Sequence, residues 1–326
     1  MVANKPIGGF FELELPKGTG AYHPEAIPLT NGRACLSLIL TTQKVNKVYV
    51  PFFCCDALFE PLISLSIDFE FYFIDKRFEI CTDLDVGEND LVIYVNYFGI
   101  KNKYCSSLVS KYGSRIVIDN THAFFSKKYD GVFSFTSARK YFGVPDGAYL
   151  YMEKTEVEGG FQLQNNTSVS LEHNVLRLIG EQELAYKKYL SAEKLFSSEI
   201  LKISKLSEKI LSSIDYMEVM KIRERNFLYL HKKLNGFNNV DFDGEISLFC
   251  YPLLLDRKVE LKFLHEKDIF IPVLWEDVNS RLKGVAQPRE EAKLVSNMLA
   301  LPIDQRVSIE DMDRMIKALE EILIHE

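Results

Sequence analysis

Ser134-Phe135-Thr136-Ser137-Ala138-Arg139-Lys140-Tyr141-Phe142-Gly143-Val144-Pro145-Asp146-Gly147 is the stretch on which the reading of this chain turns. An apolar run over 131–135 leads into it and another over 147–152 leaves it. Both flanks read as strands, and Lys140 is delivered at a turn between them instead of on a solvated helix face. Two hydroxyls, Ser134 and Ser137, stand six and three residues before it. A lysine in that setting can condense with an aldehyde cofactor while a nearby hydroxyl hydrogen-bonds the cofactor's phosphate. An exposed hairpin lysine accounts for the same pattern, so the rest of the chain has to decide.

Upstream, strand-like and helix-like segments alternate. Residues 48–53, 69–74, 91–97 and 115–118 read as strands, with helices over 56–64 and 103–112 between them. Short apolar strands separated by helices predict a mostly parallel sheet covered on both faces, an α/β architecture. Ligands of such sheets sit at the carboxyl ends of the strands. Asp119 falls at one of those ends, directly after Ile116-Val117-Ile118, where an unpaired charge is expensive; His122 follows three residues later. An aspartate capping a turn is the alternative reading. Thr30 and Asn31 are good caps for a helix beginning at Gly32 and Arg33, and such a helix start favours an anion.

Beyond residue 152 the pattern changes, and helical periodicity dominates over 168–235, with many Lys and Glu on the outer face. A strand over 245–255, another ending at Trp275 and a final helix over 308–324 make an α+β tail. The predicted division is a large domain over 1–236, with an N-terminal arm, and a small C-terminal domain over 237–326. Arg223 and Arg225 read most simply as solvated helix charges, and Trp275 as a core residue.

Composition narrows the function classes. With 39 Lys and Arg against 46 Asp and Glu, the net charge is −7, so no basic surplus exists to displace phosphate counterions and nucleic-acid binding is not expected. No apolar stretch is long enough to span a membrane, and the start lacks the apolar core of a secretory signal. Six scattered cysteines without a C-x-x-C pair suit a reducing cytoplasm. The six histidines lack metal-ligand spacing, so no metal is predicted.

Taken in order, these pieces resemble the DegT/DnrJ/EryC1/StrS family of pyridoxal-phosphate-dependent aminotransferases, of fold type I. The resemblance runs through Thr30-Asn31-Gly32-Arg33-Ala34, Val50-Pro51, Val95-Asn96-Tyr97-Phe98-Gly99, Asp119-Asn120-Thr121-His122-Ala123, Lys140, Pro145-Asp146-Gly147-Ala148, Arg225-Asn226 and Leu301-Pro302-Ile303. It implies a Schiff-base lysine at Lys140, a partner for the pyridine nitrogen at Asp119, and a contact to the cofactor's phenolic oxygen at His122. Phosphate would be held by Gly32, Arg33 and Ser134 or Ser137, and Asn96 would touch the ring or the substrate. It further implies a homodimer that moves an amino group from an amino acid such as Glu or Gln to a keto sugar, nucleotide-linked in the typical member. The same cofactor chemistry also serves elimination or dehydration, and a non-catalytic regulatory or assembly role on this fold is the remaining alternative. Three departures stand out. Cys55 takes the place of the family's ring-stacking aromatic, leaving Phe52 or Phe53 to cover the ring. One extra residue separates serine from lysine. The family's Asn-Tyr-Arg-Met stretch is missing.

Overall fold

The computed structural model describes residues 7–152, 163–242, 249–283 and 290–324. Its strands are β1 (Ile27–Leu29), β2 (Lys47–Pro51), β3 (Asp68–Tyr72), β4 (Asp90–Val95), β5 (Ile116–Asn120), β6 (Phe133–Ser137), β7 (Ala148–Tyr151), β8 (Tyr251–Leu254) and β9 (Met298–Leu301). The helices are α1 (Gly32–Thr42), α2 (Phe59–Ser64), α3 (Asn102–Tyr112), α4 (Glu172–Leu178), α5 (Gln182–Glu193), α6 (Lys205–Ser212), α7 (Tyr216–Leu234), α8 (Leu261–His265), α9 (Asp277–Leu282), α10 (Glu290–Asn297) and α11 (Ile309–Ile324).

Seven strands form one sheet in the order β1-β7-β6-β5-β4-β2-β3. The pairs β3/β2, β2/β4, β4/β5 and β5/β6 are parallel, and β7 joins β6 and β1 antiparallel. This is the mostly parallel, helix-covered sheet that the alternation predicts. The central strands carry apolar residues on consecutive positions because both of their faces are covered; every residue of β5 and β6 is buried.

The small second sheet pairs β8 with β9 antiparallel. It shares an apolar core with α7 and α11 through Phe227, Leu230, Leu234, Met312, Met315 and Leu319, so this core begins before residue 237. The predicted strand ending at Trp275 is absent: residues 269–274 take no regular element, and Trp275 sits in a turn. The strand predicted over 245–255 is present as β8, and residues 245–248 lie outside the described residues. The N-terminal arm runs extended, with Phe10, Phe11 and Leu13 exposed. At α11, Asp311 N–H donates to Ser308 Oγ at 3.2 Å and Ser308 N–H returns a bond to Asp311 Oδ2 at 3.0 Å, a reciprocal cap built with Asp.

Candidate active site

The carboxyl ends of β4, β5 and β6 meet the start of α1. Asn31 caps that helix, accepting from Ala34 N–H at 3.0 Å, so the first-turn N–H groups from Gly32 onward have no partner within the helix. Gly32 is there because the helix start presses on the sheet: a Cβ at this position would meet the Phe135 ring at 3.2 Å and Thr121 Cγ2 at 3.5 Å.

Register decides which side chains face α1. Asp119 pairs with Phe135 across β5/β6, and paired residues of parallel strands point to the same face. Asp119, Phe135 and Ser137 therefore share the α1 face, whereas Ser134 is paired with Ile118 and points to the other. Ser137, at the strand end, lies on the α1 face, and Ser134 Oγ is buried without a hydrogen-bond partner on the opposite face.

Asp119 is 7% exposed, and its Oδ1 accepts from Thr121 N–H at 2.8 Å. The turn-capping reading is thus also true of it. Burial lifts its carboxyl to about 6, against the Thr121 hydrogen bonds and the Lys140 charge. His122 is buried as well; burial, seconded by Lys140, holds its imidazole well below the usual range, so the ring is neutral. It stacks on Phe249 (centroids 4.1 Å, planes 12° apart) and touches Trp275 at 5.2 Å, and its Nδ1 is buried with no partner.

Lys140 is exposed in the one-turn 3₁₀ segment Ala138–Lys140 after β6, close enough to act electrostatically on Asp119, His122 and Cys55. Among the described residues its amine makes no hydrogen bond or ion pair. Arg139 and Lys140 diverge. Arg139 turns away to Glu193 and lies over the Phe196 ring at 4.0 Å, which leaves Lys140 to face the aspartate.

The turn beyond Lys140 is fixed by Asp146, which is fully buried and accepts from Ser204 N–H (2.9 Å), Ser204 Oγ (2.7 Å), Ser207 Oγ (2.5 Å) and Asn166 Nδ2 (3.1 Å). Gly147, at φ +135°, donates to Thr30 O at 2.6 Å and ties the turn to the residue before α1's cap. Arg223, read from sequence as solvated, is 1% exposed under the lysine turn. It donates to Tyr141 O and Phe249 O, both at 3.2 Å, and to Gln305 Oε1 at 3.1 Å.

Asn96 is fully buried, and both N–H bonds of its amide are committed, to Asn102 Oδ1 (2.7 Å) and Asn120 Oδ1 (2.9 Å). It braces the strand ends and does not reach into the site. Cys55 is exposed, beside Lys140, Arg33 and Asp277, and Arg33 pairs with Glu60 at 2.9 Å. Phe52 packs on Phe71 and Phe73, and Phe53 packs on Trp275 at 4.8 Å; both are buried. The described residues hold no group of His, Cys, Asp and Glu arranged for a metal. A cavity of about 650 Å³ opens at the opposite end of the sheet, by Lys44, Asp90, Arg115 and Asp130, and touches none of these residues.

A buried carboxylate, a neutral imidazole, an unpaired amine and a helix start facing a strand-end hydroxyl define the donor set that a pyridoxal phosphate requires. The fold points the same way. The structure aligns with the sugar aminotransferase CalS13 from Micromonospora echinospora at TM-score 0.67 and 14% identity, over 92% of this chain and 88% of that one. It aligns with the PLP form of the putative sugar aminotransferase Spr1654 from Streptococcus pneumoniae at TM-score 0.60 and 15% identity, over 92% and 87%. A DegT DnrJ EryC1 StrS aminotransferase from Brucella abortus gives 0.60 and 14%, over 91% and 85%. At these identities the likeness is one of fold. No family model matches the sequence, and no curated protein does.

Proposed function

We propose that the chain is a homodimeric, pyridoxal-phosphate-dependent aminotransferase that carries an amino group from a donor such as glutamate or glutamine to a nucleotide-linked keto sugar. The observation that carries this reading is the free amine of Lys140, set beside Asp119 and His122 at the strand ends of a fold shared with sugar aminotransferases. When bound, the cofactor would supply an electron sink for the carbon that loses its proton.

The remaining work falls to side chains of this chain. Lys140 holds the cofactor through its amine and, once released, takes and returns the substrate proton. Asp119 keeps a proton on the ring nitrogen; a cation there offsets the cost of its own buried charge. The first-turn N–H groups of α1 at Gly32 and Arg33, with the Ser137 hydroxyl, bind phosphate. His122 stays neutral and offers Nδ1 to the ring edge. Self-association has its own support: α4 and α5 expose Leu178 (84%), Ile179 (66%) and Leu184 (44%), with Leu195 (80%) just beyond, an apolar surface that invites a second copy. The cysteines are free thiols, in keeping with the cytoplasm.

Purified protein supplied with pyridoxal phosphate should develop a visible band that an amino donor bleaches while keto acid accumulates. The band should vanish in Lys140→Ala and persist in Arg139→Ala. A protein that stays colourless and binds no cofactor at micromolar concentration overturns the reading.

A further inference from the structure

We infer that Trp275 is the aromatic wall of the cofactor cleft, the surface against which the pyridine ring lies, and that it positions the His122 imidazole. The inference rests on the functional reading above and adds a residue to that site.

The first observation is backbone geometry. Trp275 has φ +60°, in the left-handed region where a bulky side chain is a genuine outlier. Such a conformation persists only where its surroundings over-determine it, and here they do. Val278 N–H donates to Trp275 O at 3.0 Å as α9 begins. From α9, Asp277 accepts from Asp56 N–H at 3.0 Å and Arg281 donates to Cys54 O, which latches the turn onto the loop after β2.

The second observation is where the indole goes. It contacts Phe53 (4.8 Å), His122 (5.2 Å), Phe98 (5.3 Å) and Tyr97 (5.5 Å), so a residue far along the chain closes on the strand-end imidazole. One polar group in this cluster is unused: His122 Nδ1 is buried without a partner. Buried polar groups are ordinarily satisfied, so this atom points to a ligand that brings a polar substituent to the imidazole beside the indole.

Trp275 is the only tryptophan in the chain, which makes the test direct. Full-length protein is titrated with pyridoxal phosphate while the visible band and the acrylamide quenching of tryptophan emission are followed together. The expected result is that the band and the protection of Trp275 from acrylamide rise in parallel. Trp275→Ala should bind cofactor about tenfold more weakly, and Trp275→Phe should recover most of that loss. A visible band with unchanged acrylamide access, or wild-type affinity in Trp275→Ala, overturns this inference and leaves the functional reading standing. No band in the wild type overturns both. Should Trp275→Ala fail to fold, the wild-type protection measurement decides alone.

Discussion

The Asp119 carboxyl ordinarily titrates near 3.8 and in this fold titrates at about 6, with burial the leading cause. At 1.36 kcal/mol per decade, the ionised side chain costs the folded state about 3 kcal/mol. The sign follows from proton counting. Between about pH 4 and pH 6 the folded protein holds a proton that the unfolded chain has released, so this group's contribution falls as pH rises and is lost above the folded value. Asp119→Asn keeps the bond to Thr121 N–H through its amide oxygen and removes the ionisation. Cofactor-free Asp119→Asn should therefore match wild type near pH 4 and exceed it by up to about 3 kcal/mol at pH 7. His122 works in the opposite direction, since its depressed value lends stability that is lost as pH falls, and the difference between the two proteins cancels it. Urea unfolding of both proteins from pH 4 to pH 7.5 is the assay. A stability difference independent of pH, or a less stable variant at pH 7, would refute the burial argument. The same substitution should weaken cofactor binding, which makes Asp119 a residue kept for its chemistry against its effect on stability.

Two further predictions come from the frame. Asp146→Ala strands three buried donors and a half-buried one, so it should cost about 3–5 kcal/mol in thermal or urea unfolding; Asp146→Asn should cost less, because its amide oxygen still accepts. Leu178→Glu combined with Leu195→Glu places charge on the exposed apolar surface of the helical hairpin, and it should shift sedimentation from dimer toward monomer with little change in the unfolding midpoint.

The sheet was legible because its strands are short apolar runs broken by turn residues, and burial on both faces writes that pattern directly into the sequence. Asp119, His122 and Lys140 were legible for a related reason: polar groups placed where an apolar strand ends demand an explanation. What sequence could not carry is register and long-range partnership. Ser134 and Ser137 look interchangeable until Asp119 is paired with Phe135. Asn96 resembles a site residue until Asn102 and Asn120 are seen to take both its N–H groups. Arg223 follows the periodicity of a solvated helix, and only the fold shows three distant oxygens closing on it. Trp275 follows an apolar run that reads as a strand, and no glycine marks its left-handed turn.

The lysine turn shows how rigidity and freedom divide in this site. Tyr141 O is held by Arg223, the next turn by Asp146, and Gly147 N–H by Thr30, which precedes the cap of α1. Arg139 is drawn off to Glu193. Tyr141, Asp146 and Gly147 are thus anchored to different elements, while among the described residues the amine of Lys140 is left without a partner. Such an arrangement suits a group that must first attach and then move a proton: the anchored backbone limits where the amine can reach, and the absence of an ion pair spares it the cost of breaking one.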